Sequence, residues 1–206
     1  MEKGYIPKDQ RKKILLLSDD IRTHSGIGNM AKEIVLKTAH HYNWVNIGGA
    51  VKHPEAGKVF DISPDINNLR NITDASVKVY PSDGYGTQPL LRTIMEIEKP
   101  DALMHFTDPR YWVWLYHMEN EIRQKMPMIF YTIWDDVPYP MWNREYYRSD
   151  DMHLCISKQT KNILKNVLKD HPKPDWAVQY LPHGIDENNF YPIINNFEFE
   201  IWKEKF

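Results

Sequence analysis

Short, continuous apolar runs alternate along this chain with stretches whose apolar residues recur every three or four positions. "KILLLSDD" (13–20) ends in polar residues and reads as a strand buried on both faces. "GNMAKEIVLKTAHHY" (28–42) reads as a helix, with Ala31, Ile34, Val35 and Ala39 on one face. Further strands are expected at "WVNIGGAV" (44–51), "SVKVYPS" (76–82), "DALMHFT" (101–107), "PMIFYTIW" (127–134), "MHLCIS" (152–157) and "AVQYLP" (177–182). Helices are expected at "PLLRTIMEIEK" (89–99), "YWVWLYHMENEIRQKM" (111–126) and "KQTKNILKNVLKDH" (158–171). Pro89 opens the first of these and Pro100 closes it; Ser157 can cap the last.

Strand and helix in strict alternation predict an α/β fold: a Rossmann-like, doubly wound, mostly parallel sheet with helices on both faces. Ligands of such sheets bind beyond the carboxyl ends of the strands. Candidate chemistry is therefore expected just after Leu17, Phe106, Trp134, Ser157 and Pro182.

Composition adds mainly exclusions. The chain has 206 residues, 42% hydrophobic and 26% charged, with a formal net charge of -2, so no global charge draws it to nucleic acid or an anionic membrane. A single cysteine, Cys155, forbids an internal disulfide and reads as a small buried hydrophobe. No apolar signal segment or membrane span is visible, and a cytoplasmic location is expected. Aromatic residues reach 13%, enough to build a core, an interface or a sugar platform.

Each strand end carries unusual residues. Ser25, Gly26 and Gly28 lie between the first strand and its helix, where they suit a phosphate or form an ordinary tight turn. His105, Thr107, Asp108 and Arg110 follow the fourth strand; they can bind hydroxyls, or His105 can belong to the core and Asp108-Pro109 can open a helix. After the fifth strand, Trp134, Asp135, Asp136 and Tyr139 combine aromatic faces with carboxylates, as sugar binding requires; the alternative is an aromatic loop or a protein interface. No Asp-x-Asp or zinc-spaced histidine pair occurs, with His40 and His41 neighbours on a helix, so no metal is expected. Serine-elbow and phosphate-loop motifs are absent too.

Together these stations resemble the N-terminal half of a GT-B glycosyltransferase of family 4. "SGIGNMAKEIV" is similar to that family's Gly-Gly-Ile-Gly loop and helix, with Ser25 at the first glycine. "PDALMHF" resembles its D-x-x-H-x-H strand, with His105 at the first histidine and Thr107 at the second. "PMIFYTIWDD" resembles the strand ending Thr-x-His, with Trp134 at the histidine. "DDMHLCISKQTKNIL" resembles the strand and helix that bring Ser157 and Lys158 to the cleft. "VQYLPHGIDENNFYP" resembles the Pro-Asn-Gly-x-Asp hinge, with His183 for asparagine, then Gly184 and Asp186.

The resemblance implies an N-terminal Rossmann-like domain over 1–190, and a linker at 191–206 leading to a donor-binding domain or to a separate chain that supplies it. It implies acceptor binding by His105, Thr107, Asp108, Trp134, Asp135, Asp136 and Tyr139, and donor-phosphate contact by Ser25, Gly26 and Gly28. The co-substrate would be a UDP- or GDP-sugar, with no other cofactor, and transfer would be retaining and metal-independent. No general base is assigned; Asp135 is the candidate for orienting the acceptor, whose identity stays open, modified DNA included. The alternatives are a non-catalytic acceptor- or partner-binding domain, or another GT-B enzyme such as a sugar-nucleotide epimerase or phosphorylase.

Overall fold

The computed structural model describes residues 4–50, 52, 54–185, 190–192, 200 and 203–204. Eight strands form one sheet: β1 (Lys12–Asp19), β2 (Tyr42–Gly49), β3 (Phe60–Asp61), β4 (Val77–Pro81), β5 (Ala102–His105), β6 (Met128–Thr132), β7 (Met152–Cys155) and β8 (Val178–Tyr180). Their order is β3-β4-β2-β1-β5-β6-β7-β8. Every pairing is parallel except the short antiparallel β3–β4 edge. The chain winds outward from β1 first toward β4 and then toward β8, so the winding reverses between β1 and β5. This is a Rossmann-like doubly wound fold, and the reversal opens a crevice at the carboxyl ends of β1 and β5.

Alternation along the strands divides the core. Leu15 and Leu17 point to one face with Val45, Ile47 and Leu103; Leu16 points to the other with Trp44, Val77 and Met104. Leu15, Leu16 and Leu17 are all fully buried, each contributing about 1.5–3 kcal/mol. The first face is covered by α3 (Gln88–Glu98), α4 (Val113–Tyr116) and α5 (Glu119–Arg123), then by α6 (Arg144–Ser149) and α7 (Lys158–Val167). The second face is covered by α1 (Gly26–Thr38) and α2 (Ser63–Arg70).

Capping sets the helix starts. Ser25, Thr87 and Ser157 each accept a backbone N–H of the first turn, from Gly28, Leu90 and Thr160. α1 stops at Thr38, so His40 and His41 lie beyond the helix and not on it: Ala39 caps α1, and β2 begins at Tyr42.

The expected helix over 111–126 is instead a tight turn (Pro109–Trp112) followed by α4 and α5. Trp112, Leu115, Tyr116, Met118 and Ile122 are all buried. One straight helix would spread them over nearly half its circumference, and the break at His117–Met118 lets all five reach the sheet. β3, α2 and α6 escape pattern reading; α2 buries only Ile66 and has almost no apolar stripe to detect. Most of the expected linker at 191–206 lies outside the described residues.

Candidate functional site

The loop after β1 is held by its own side chains. The Ser25 hydroxyl donates to Asp19 Oδ2 at 2.5 Å while its oxygen accepts the Gly28 amide at 2.8 Å. A Cβ on Gly28 would lie 2.7 Å from Thr23 Oγ1 and 2.9 Å from the Asp20 carbonyl, so this glycine serves the turn itself. Gly26 differs: a Cβ there would meet nothing within 4 Å, and the residue borders open space at the start of α1. Burial raises the pKa of Asp19, a shift that Ser25's hydrogen bond only partly offsets. An anion at this helix start would meet that carboxyl group.

Two loops that pattern reading passes over complete this part of the rim. Gly48 and Gly49 let β2 run against Asp20 and against the Gly84 carbonyl, where any side chain would collide. Tyr85, in the loop after β4, stacks on Tyr111 at 5.0 Å between ring centroids and 12° between planes. Burial first, then the nearby Asp19, raises the Tyr85 phenol pKa and keeps it protonated.

The loops after β5 and β6 enclose a cavity of about 270 Å³. Thr107, Asp108, Trp134, Asp135 and Asp136 line it, joined by Asn143 and Tyr147 from the segment leading into α6. The Asp108 carboxylate accepts the Arg110 amide at 2.9 Å and a bidentate pair from its guanidinium at 2.5–3.1 Å. Burial alone would raise the Asp108 pKa; Arg110 outweighs it and holds the group below its ordinary value. Arg110 also lies over the Trp134 ring, 5.4 Å from its centroid.

The Trp134 indole N–H donates to the Asp136 carbonyl at 3.1 Å, and Gln159 donates to the Asp135 carbonyl at 2.6 Å. Those backbone bonds fix the loop and leave the Asp135 carboxylate without a hydrogen-bond partner among the described residues. At the cavity's inner side Thr107 is 4% exposed and Asn143 is fully buried, yet Thr107 Oγ1 and Asn143 Oδ1 have no partner. Unsatisfied buried polar atoms are costly, and these two lie beside one cavity, where water or the polar groups of a ligand would satisfy them.

The remaining expected site residues lie elsewhere. His105 is fully buried, stacked on Phe130 at 4.8 Å, with Nδ1 3.3 Å from the Tyr116 hydroxyl. Burial lowers its pKa to about 3, so it is a neutral core imidazole that does not line the cavity. Tyr139 is exposed at the rim and is not a lining residue. Ser157 is occupied in capping α7, and Lys158 is exposed beside it.

His183 and Gly184 line a second hollow, an apolar groove of about 540 Å³ on the α1 face. In β6, Phe130 and Thr132 face the cavity while Ile129 and Tyr131 face this groove, so the two hollows lie on opposite faces of the sheet. Asp186 lies outside the described residues. The five loops thus share one rim of the sheet, but the cavity unites only those after β5 and β6.

Among the described residues no group of three or more His, Cys, Asp or Glu side chains is arranged to hold a metal ion. No helix among them is long and apolar enough to cross a membrane. No protein-family model and no curated protein matches the chain.

Proposed function

We propose that this chain is the acceptor-binding half of a GT-B glycosyltransferase, holding a hydroxyl-bearing acceptor while a second unit binds the nucleotide-sugar. The observation that carries the reading is the β5–β6 cavity. It combines an aromatic face (Trp134), a carboxylate free to accept a hydroxyl (Asp135), and the unpartnered Thr107 and Asn143 atoms. Apolar C–H faces and hydroxyls of a pyranose need that combination. The winding order adds support, because it puts the cavity beside the reversal point where ligands of such sheets bind.

In this reading Asp135 orients the acceptor hydroxyl, and donor phosphate approaches the loop after β1 at Gly26, which borders open space. Rate acceleration would come from bringing hydroxyl and anomeric carbon together when the two units close. Retention of configuration and independence from metal belong to the same proposal.

The reading is tested by incubating the chain with UDP- and GDP-sugars and a panel of glycosides, with and without a donor-binding unit, and following glycosyl transfer by mass spectrometry. The expected result is glycoside binding by the chain alone and turnover only with the donor-binding unit. Turnover by the 206-residue chain alone would contradict the division of labour. Failure to bind any glycoside would contradict the reading itself.

A further inference from the structure

The cavity has two chemically different walls. Thr107 and Asn143 form its buried polar floor. Asn143 Nδ2 already donates to the Tyr147 hydroxyl at 3.4 Å, which leaves Oδ1 as an acceptor with nothing to accept. Thr107 Oγ1 lacks a partner in the same cavity. A ligand satisfies Asn143 Oδ1 only by donating a hydrogen bond, through a hydroxyl or an N–H, whereas the Thr107 hydroxyl can donate or accept. A ligand hydroxyl, which does both, completes the whole floor, and a phosphate or carboxylate oxygen leaves Asn143 Oδ1 unmet.

The mouth carries charge of one sign. Asp135 and Asp136 are exposed, and among the described residues neither carboxylate pairs with a cation. The Arg110 guanidinium is matched by Asp108 and turned onto Trp134, and that of Arg144, next to Asn143, is matched by Asp170. An anionic ligand would therefore face like charge at the entrance and an acceptor at the floor.

Resting on the acceptor-site reading above, we propose that this cavity selects an uncharged or cationic polyhydroxylated ring and rejects anionic acceptors. Asn143 Oδ1 accepts from one donor group of the ligand, the Thr107 hydroxyl bonds the same group or its neighbour, and Asp135 and Asp136 exclude phosphorylated or carboxylated ligands. Nucleic acid, whose backbone is anionic, is thereby disfavoured as an acceptor.

The experiment compares binding of methyl glucoside, methyl glucosaminide, glucose 6-phosphate and methyl glucuronide to the whole chain by ligand-observed NMR, at low and high salt. The neutral and amino sugars are expected to bind about tenfold or more tightly than the anionic pair. The gap should narrow at high salt, because the mouth is exposed and screened. Thr107→Val should weaken the neutral sugar about tenfold, the loss of one buried hydrogen bond, and Thr107→Ser should restore it. Melting curves of both variants check the fold.

Equal binding of neutral and anionic sugars, or a Thr107→Val variant with unchanged affinity, would overturn this selectivity and leave the acceptor-site reading standing. If no sugar of either charge binds, the acceptor-site reading falls and the selectivity with it.

Discussion

The charge clusters at the amino ends of the strands and the β5–β6 cavity at their carboxyl ends treat polar groups in opposite ways. At the amino ends of the strands, charged side chains are gathered into closed sets. Glu98, 4% exposed, accepts from Lys13, Lys78 and Tyr80 at 2.7–3.1 Å. Arg11 donates to the Ile6 and Asp74 carbonyls and to the Asp74 carboxylate, which also accepts from Tyr5. Asp101 joins the Lys12 ammonium to the Lys13 amide within β1, and Asp151 joins the Arg123 guanidinium to the Met128 amide. In the β5–β6 cavity, Thr107 Oγ1 and Asn143 Oδ1 are buried without a partner among the described residues, and the Asp135 carboxylate is exposed. The amino-end clusters tie elements of the fold together, while the cavity leaves two buried polar atoms without a protein partner among the described residues.

The largest test of that contrast is Glu98→Gln. Burial would raise the pKa of Glu98, but Lys78, Tyr80 and Lys13 lower it to about 2. The folded value lies below the unfolded one, so its stabilisation is full above about pH 4.5 and fades as pH falls toward about 2. The substitution should cost about 2–3 kcal/mol at pH 7 by denaturant unfolding, and the cost should shrink in acid.

Asp150 sharpens the comparison, because it breaks the rule at the amino end. It is fully buried, accepts from Tyr116 at 3.3 Å through Oδ2, and leaves Oδ1 unpartnered. Burial raises its pKa well above the ordinary value, more than Lys173 lowers it. The folded protein therefore holds this proton more tightly than the unfolded chain does. Its contribution is full at low pH and lost as pH rises. Asp150→Asn should stabilise the protein by about 1 kcal/mol at pH 8 and have little effect at pH 4, measured by thermal melts.

The smallest effects are expected at the other rim. Thr107→Val should leave stability unchanged or raise it by about 0.5 kcal/mol, since it removes an unsatisfied group. Asp135→Asn should stay within about 0.5 kcal/mol while weakening glycoside binding. A large loss of stability from either change would erase the distinction between the two rims.

Much of the fold was legible because the strands write their burial plainly. "ILLL" announces β1, Pro89 marks the first turn of α3 and Ser157 the start of α7, whereas the caps Ser25 and Thr87 emerge only from the structure. The site was legible only in part. Thr107, Asp108, Trp134, Asp135 and Asp136 stand at strand ends, where topology alone directs attention. Asn143 and Tyr147 stand in the same aromatic segment as Trp134, but the burial of Asn143 rests on its contact with Tyr147, which no local pattern encodes. His105 and Thr107 sit two positions apart, and which of them reaches the cavity depends on where β5 ends. Likewise only the positions of Thr23 and Asp20 distinguish Gly28, required by the turn, from Gly26, which faces open space.

The most direct test of the central claim is a nitrogen-edited NMR titration of the chain with a neutral methyl glycoside. The account predicts shifts concentrated at the Trp134 indole N–H, the Asn143 side-chain amide and the Thr107 backbone, with none in the groove beneath α1. Shifts confined to Met104, Ile129 and Leu154, or no saturable shift anywhere, would contradict it.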